Sequence, residues 1–205
     1  MSTPPRPPLP VRFMGKAISQ VVFRVPALWP VLRGPSRRFW DRAAGGWAER
    51  VTPERTRALA AACERLDGAP ARILELGTGT GAGARMLAER FPGASIDAVD
   101  LSPEMIETAR SSSPERIRFA VADASALPFD DGAFDLVAQL NMPLFPGELA
   151  RVVRPGGHVV VASSLGPATP YYTPHKVLTK RFTKLGFKHL RSEQAPPGDW
   201  FMATK

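Results

Sequence analysis

The chain has 205 residues, 44% of them apolar and 22% charged, and a formal net charge of +8. That size allows one ordinary domain plus an appendage, and the composition excludes collagen-like and wholly disordered chains. No run of eighteen apolar residues occurs; the best stretch, 17–32, holds Arg24, Pro26 and Pro30, so no membrane span is expected. The Pro-rich, basic start has no apolar core followed by a small-residue cleavage site, so no secretory signal is read there and a cytoplasmic location is expected. The single cysteine, Cys63, excludes an internal disulfide and a Cys-based zinc cluster, and no metal is expected.

The charge is unevenly placed. Residues 1–50 hold nine Lys/Arg against two Asp/Glu, and residues 171–205 hold seven against two, whereas 51–170 carry a net of −4. An acidic centre suits a cationic ligand better than a phosphate-rich one. The basic ends read as solvated charge, with nucleic acid or an anionic membrane as alternatives.

Residues 1–10 contain five prolines and read as a disordered arm. Residues 13–33 suggest a short helix before Pro26 and an irregular turn after it. Phe39/Trp40, Ala43/Ala44 and Trp47 make a helical stripe from Ser36 to Arg50, interrupted at Gly45-Gly46. Thr52-Pro53 starts another helix, with Leu59, Ala62/Cys63 and Leu66 facing one way, and Asp67-Gly68 ends it. From Ala71 strands and helices alternate. Arg72–Leu76 is a strand, then come a glycine loop and a helix near 81–90. Ser95–Val99 is a strand ending at Asp100, and Ser102 caps the next helix. Ile117–Val121, Phe134–Leu140 and His158–Ala162 complete five strands. Such spacing specifies a doubly wound parallel α/β sheet. Thr173-Pro174 begins a last helix, which Gly186 ends, and Phe187–Ser192 and Trp200–Thr204 form a final strand pair around Pro196-Pro197-Gly198.

The segment that carries chemistry is Ile73-Leu74-Glu75-Leu76-Gly77-Thr78-Gly79-Thr80-Gly81. Glycines on alternate positions after a strand let the backbone approach a ligand and present amides at a helix start. Gly77-x-Gly79-x-x-Ala82 also fits the dinucleotide fingerprint, with Asp100 at the ribose-acid position, so the loop alone leaves a nicotinamide or flavin nucleotide open beside another adenosine cofactor. Glu75, just before the loop, repels a pyrophosphate and attracts a cation. A third strand ends in Ala122-Asp123-Ala124, and Phe134-Asp135-Leu136-Val137 leads to Arg151-Val152-Val153-Arg154-Pro155-Gly156-Gly157.

With these motifs in this order, residues 36–205 resemble the class I S-adenosylmethionine-dependent methyltransferases, in particular the small-molecule branch that includes quinone-biosynthesis enzymes. The resemblance implies a Rossmann-like, seven-stranded sheet, mostly parallel with an antiparallel C-terminal strand, and S-adenosyl-L-methionine as cofactor. It places Gly77, Thr78, Gly79 and Gly81 around the methionine part and Glu75 as the acid supporting that loop. Asp100 becomes the ribose acid, Leu101 and Met105 flank the adenine, Asp123 accepts from its amino group, and the Ala124 amide donates to the ring. Asn141 falls at the amino-acid end. Asn141-Met142-Pro143-Leu144-Phe145 departs from the signature of enzymes that methylate amino nitrogen in bases, which argues against DNA. The short connection between strands four and five leaves no room there for a cap domain.

The expected function is methyl transfer to oxygen, nitrogen or carbon of a small, apolar acceptor. Tyr171, Tyr172 and His175 are candidates for the acceptor pocket; no residue is assigned as catalytic base. Residues 1–35 are read as a Pro-rich basic arm and candidate lid, able also to rest on a membrane surface, and the aromatics Phe13, Phe23, Trp29, Phe39, Trp40 and Trp47 can fold over the open sheet edge. Two other classes stay open. Lys176, Lys180 and Lys184, with Arg181, suggest an RNA-directed methyltransferase or RNA-binding module. The glycine loop alone would also suit a nucleotide-dependent oxidoreductase.

Overall fold

The structure, a computed structural model, describes residues 9–47 and 52–205, with side chains from Arg12 onward. Seven strands form one sheet: β1 (Arg72–Leu76), β2 (Ser95–Asp100), β3 (Ile117–Val121), β4 (Phe134–Leu140), β5 (Val153–Ser163), β6 (Lys188–Ala195) and β7 (Gly198–Thr204). Their order is β3-β2-β1-β4-β5-β7-β6. The first five run parallel, and β7 enters antiparallel between β5 and β6. The five parallel strands are those the spacing predicts, and the antiparallel β7 is what the resemblance implies. β1 is central and Ile73, Leu74 and Leu76 have no exposure, because helices cover both faces and leave no polar side to the strand.

On one face lie α3 (Pro53–Cys63), α4 (Ala82–Arg90) and α5 (Pro103–Ser111), whose Leu59, Leu87 and Ile106 share a core with Ile73, Phe119 and Trp200. On the other, Leu149 of α6 (Pro146–Val152) and Phe182 of α7 (His175–Lys184) pack with Leu74, Val137 and Phe201. Cys63 is buried in the first core, and burial pushes its thiol up to about 12. Among the described residues, no helix is long and apolar enough to cross a membrane.

The N-terminal helices differ from the sequence reading. Positions 1–8 of the proline-rich arm lie outside the described residues, and Leu9 and Pro10 already belong to α1 (Leu9–Arg24), since proline fits the first turn, where its missing N–H has no partner to lose. α2 (Trp29–Trp47) begins seven residues before Ser36, so the division at 35/36 falls inside one helix. It runs through Pro35, where the loss of a single donor is compatible with continuation, and through Gly45-Gly46 to Trp47, whose ring meets that of Trp40 at 5.0 Å. α6 had no sequence signal: seven residues between two strands are too few for a readable period.

Both helices are anchored. Val22 and Trp29 join the second core, and Gly15 approaches Pro170 so closely that a Cβ would stand 2.5 Å from its side chain. The strand order reverses between β1 and β4, which opens a crevice at their carboxyl ends, the usual ligand position in such sheets. α2 lies across this crevice, tied to α5 where the Ser102 hydroxyl donates to Asp41 at 2.6 Å.

Candidate functional site

The crevice holds a cavity of about 1080 Å³, including its open mouth. Its floor is built by strand ends and by the loop after β1. Gly77, Gly79 and Gly81 all have positive φ (65°, 54° and 83°), a backbone that an L side chain rarely adopts. Space matters as well as angle: a Cβ on Gly77 would meet Met142 Sδ at 2.7 Å, and one on Gly83 would run into the Glu75 carboxylate. The loop is pinned to β2, with the Thr78 amide donating to the Val99 carbonyl at 3.0 Å and the Gly79 amide donating to Asp100 Oδ2 at 2.8 Å.

Two carboxylates face this loop, Glu75 buried and Asp100 half-buried. Asp100 accepts from the Ser102 amide on Oδ1 (3.0 Å) and from Gly79 on Oδ2, which leaves each oxygen a lone pair for a ligand hydroxyl. Burial pushes its pKa up, against the pull of these amide bonds. Glu75 is 2% exposed, and burial pushes it up to about 7, although the Thr78 hydroxyl donates to it at 2.5 Å. Two acids in one cavity, one of them fully buried, favour a cationic ligand. Arg55 of α3 is the single basic residue among those lining the cavity, 7% exposed, its guanidinium 5.5 Å from the Trp47 ring centre.

The roof is aromatic. Trp29, Trp40 and Trp47 of α2, Phe145 before α6 and Tyr171 after β5 line the cavity. Trp29 meets Phe145 edge-on at 5.2 Å, and Trp40 lies 6.4 Å from Tyr171, whose phenol burial raises to about 12. In the loop of the floor, Thr80 Oγ1 is buried with no hydrogen-bond partner, a polar atom that an adenosine or amino-acid ligand would satisfy. Together with the paired Asp100 oxygens and the glycine cradle, it fits the cofactor that the motifs imply.

Of the sequence candidates, Glu75, Gly77, Thr78, Gly79, Asp100, Leu101, Met105, Ala124, Asn141 and Tyr171 line this one cavity. Gly81 lies behind it as the first residue before α4. Asn141, left-handed at φ 56°, exchanges both side-chain hydrogen bonds with Ser164 and so joins the ends of β4 and β5. Asp123 sits at the rim, where its Oδ1 accepts from the Trp29 indole (2.8 Å) and the Ser125 amide (2.9 Å). Tyr172 and His175 do not line the cavity; they gather at Asp199, 3.6 Å from His175 Nε2. Arg55 went unread in the sequence because it stands in no motif, whereas Thr80, Met142 and Phe145 stand in the quoted motifs but were given no place in the site.

Residues 73–157 match the family model described as a methyltransferase domain. The demethylmenaquinone methyltransferase of Thermus thermophilus is 48% identical over 108 residues, covering 47% of this chain and 48% of the relative. The malonyl-[acyl-carrier protein] O-methyltransferase of Halorhodospira halophila is 39% identical over 109 residues, 49% of this chain and 37% of the relative. The chain thus spans less than half the length of these curated relatives. Among solved structures, Haemonchus contortus phosphoethanolamine N-methyltransferase 2, in complex with S-adenosyl-L-methionine, aligns with a TM-score of 0.61 at 19% identity, over 72% of this chain and 52% of that one. Sheet order, glycine loop and family match converge: residues 73–157 match the methyltransferase-domain model, and the sheet has the fold of the class I S-adenosylmethionine-dependent methyltransferases.

Proposed function

We propose that the protein transfers the methyl group of S-adenosylmethionine to oxygen, nitrogen or carbon of a small, apolar acceptor lodged under the aromatic roof. The observation that carries this reading is one cavity in which Asp100 and Glu75 face the glycine loop while Trp29, Trp40, Trp47, Phe145 and Tyr171 cover it. When bound, the cofactor would supply a methyl group already activated on a sulfonium, with the sulfide as leaving group. The chain's part is to bind, orient and exclude water.

In this reading Asp100 holds the ribose hydroxyls and the Gly77–Gly81 loop surrounds the methionine part. Leu101 and Met105 flank the adenine, with Ala124 at its edge. Glu75 is a half-titrated acid near neutral pH that a cationic ligand would keep ionised. Tyr171, with its pKa near 12, stays protonated and offers a donor rather than a base. Relatives whose names specify acceptors as different as demethylmenaquinone and a malonyl carrier protein support a small-molecule acceptor without choosing one. The lysines of α7 stand exposed outside the cavity, which supports solvated charge over an RNA-reading face.

The experiment pairs calorimetry with turnover. S-adenosylhomocysteine should bind with one-to-one stoichiometry while NAD and NADP do not, and labelled methyl should pass from the cofactor to a member of a panel of hydroquinones, phenols and carboxylic acids. Binding of NAD in preference to S-adenosylhomocysteine would overturn the cofactor reading. Transfer only to RNA would overturn the acceptor reading.

A further inference from the structure

We propose that α1, the turn after it and the first turn of α2 form a docking face for an anionic lipid surface. Of the eight large apolar side chains that stand exposed among the described residues, six lie between 13 and 31: Phe13, Met14, Val21, Val25, Leu28 and Val31. Phe13 and Val31 are the most exposed, at 71% and 74%. Isolated apolar surface residues are ordinary, but a concentration of this kind in one short segment is not.

The helix has already used its other side. Gly15, Ser19 and Val22 face inward, against Pro170 and the second core. At 100° per residue, Phe13, Met14, Ala17 and Val21 share about a third of the circumference on the opposite side, which is therefore the outward one. In a water-facing helix that side would be polar.

Charge selects the partner. The first forty residues contain seven Lys/Arg and no Asp/Glu, and Lys16 and Arg24 adjoin the apolar strip on α1. An apolar face whose charged neighbours on this segment are all cations is complementary to a layer that is apolar within and anionic at its surface, whereas contact with a second copy would set this positive segment against itself. Trp29, on the same stretch of chain, lines the cavity, so docking brings the roof of the site to the lipid surface. Lipid binding is read without turnover and stands apart from the reaction proposed above.

The test is flotation of the full chain with vesicles of phosphatidylcholine alone or mixed with phosphatidylglycerol, at low and raised salt. Binding should require the anionic lipid and fall with salt. The double variants Phe13→Glu/Val31→Glu and Lys16→Glu/Arg24→Glu should each reduce partitioning at least tenfold, with unchanged circular dichroism and unchanged S-adenosylhomocysteine affinity, since none of these four side chains lines the cavity. Equal binding to both vesicle types, no binding to either, or insensitivity to both double variants would overturn the proposal. So would a concentration-dependent dimer abolished by Phe13→Glu/Val31→Glu without vesicle binding, which would assign the face to a second copy.

Discussion

Replacing Glu75 by Gln tests the electrostatics of the cavity floor directly. The folded carboxyl titrates near 7, against an ordinary value of 4.5, because burial disfavours its charge. Between those two values the unfolded chain releases the proton and the folded chain retains it. The folded state therefore binds more protons, and stability falls as pH rises. The slope is about 1.4 kcal/mol per pH unit, which accumulates to about 3 kcal/mol across the window and flattens above pH 7. Gln keeps the size and a hydrogen-bond acceptor for Thr78 but cannot ionise. Groups such as Glu148, held low by its bond from Arg151, titrate alike in both proteins and cancel in the difference. Urea unfolding of the two proteins, in steps from about pH 4.5 to about pH 8, should show the variant gaining on the wild type by about 3 kcal/mol, nearly all of it below pH 7. A difference that stays flat would refute the buried, half-titrated acid. In the opposite sense, the variant should bind the cationic cofactor more weakly than the wild type at pH 8, where the native carboxylate is ionised.

Asp100→Ala removes the acceptor expected for two ligand hydroxyls, at about 0.5–1.5 kcal/mol each, so S-adenosylhomocysteine affinity should fall roughly five- to 150-fold by calorimetry. Unchanged affinity would remove Asp100 from the site. Gly83→Ala drives a Cβ into the Glu75 carboxylate and should cost about 1–3 kcal/mol in chemical denaturation, although Ala is the better helix former.

The sheet was legible because the inner parallel strands are buried on both faces and read as short apolar runs between turn signals, while the edge strand β3 alternates buried and exposed residues. Strand ends were legible for the same reason, and with them Asp100 and Asp123, each at the residue where an apolar run turns acidic. The loop was legible because three positive-φ positions in five residues call for glycine. The roof was less so. Its aromatics were visible as a group, but their helix was read from Ser36 rather than Trp29, because the stretch after Pro26 was read as an irregular turn. Arg55 and Met142 enter the cavity through tertiary packing alone, and a single sequence carries no local period for that. His175 and Tyr172 were placed by proximity along the chain to β5, yet the buried Asp199 of β7 gathers them instead, a pairing between segments over twenty residues apart.

Asp123 is the position where two readings of one carboxylate meet. The resemblance gives it to the adenine amino group; the structure gives its Oδ1 to the Trp29 indole and the Ser125 amide. Among the described residues Oδ2 meets only Arg33, at 3.5 Å and largely in solvent, which is too long and too exposed to hold the oxygen against a competing donor. One oxygen clasps α2 and the other remains available to a ligand, so the two roles are compatible. Trp29→Phe separates them. It keeps an aromatic edge against Phe145 and removes one hydrogen bond to a charged group, a loss of about 1.5–3 kcal/mol in urea unfolding, while S-adenosylhomocysteine affinity should hold. Asp123→Ala removes both roles and should lower stability and affinity together. If Trp29→Phe weakens the ligand as much as Asp123→Ala does, the carboxylate serves only to hold the roof, and adenine must be read by the Ala124 amide and the apolar flanks of Leu101 and Met105.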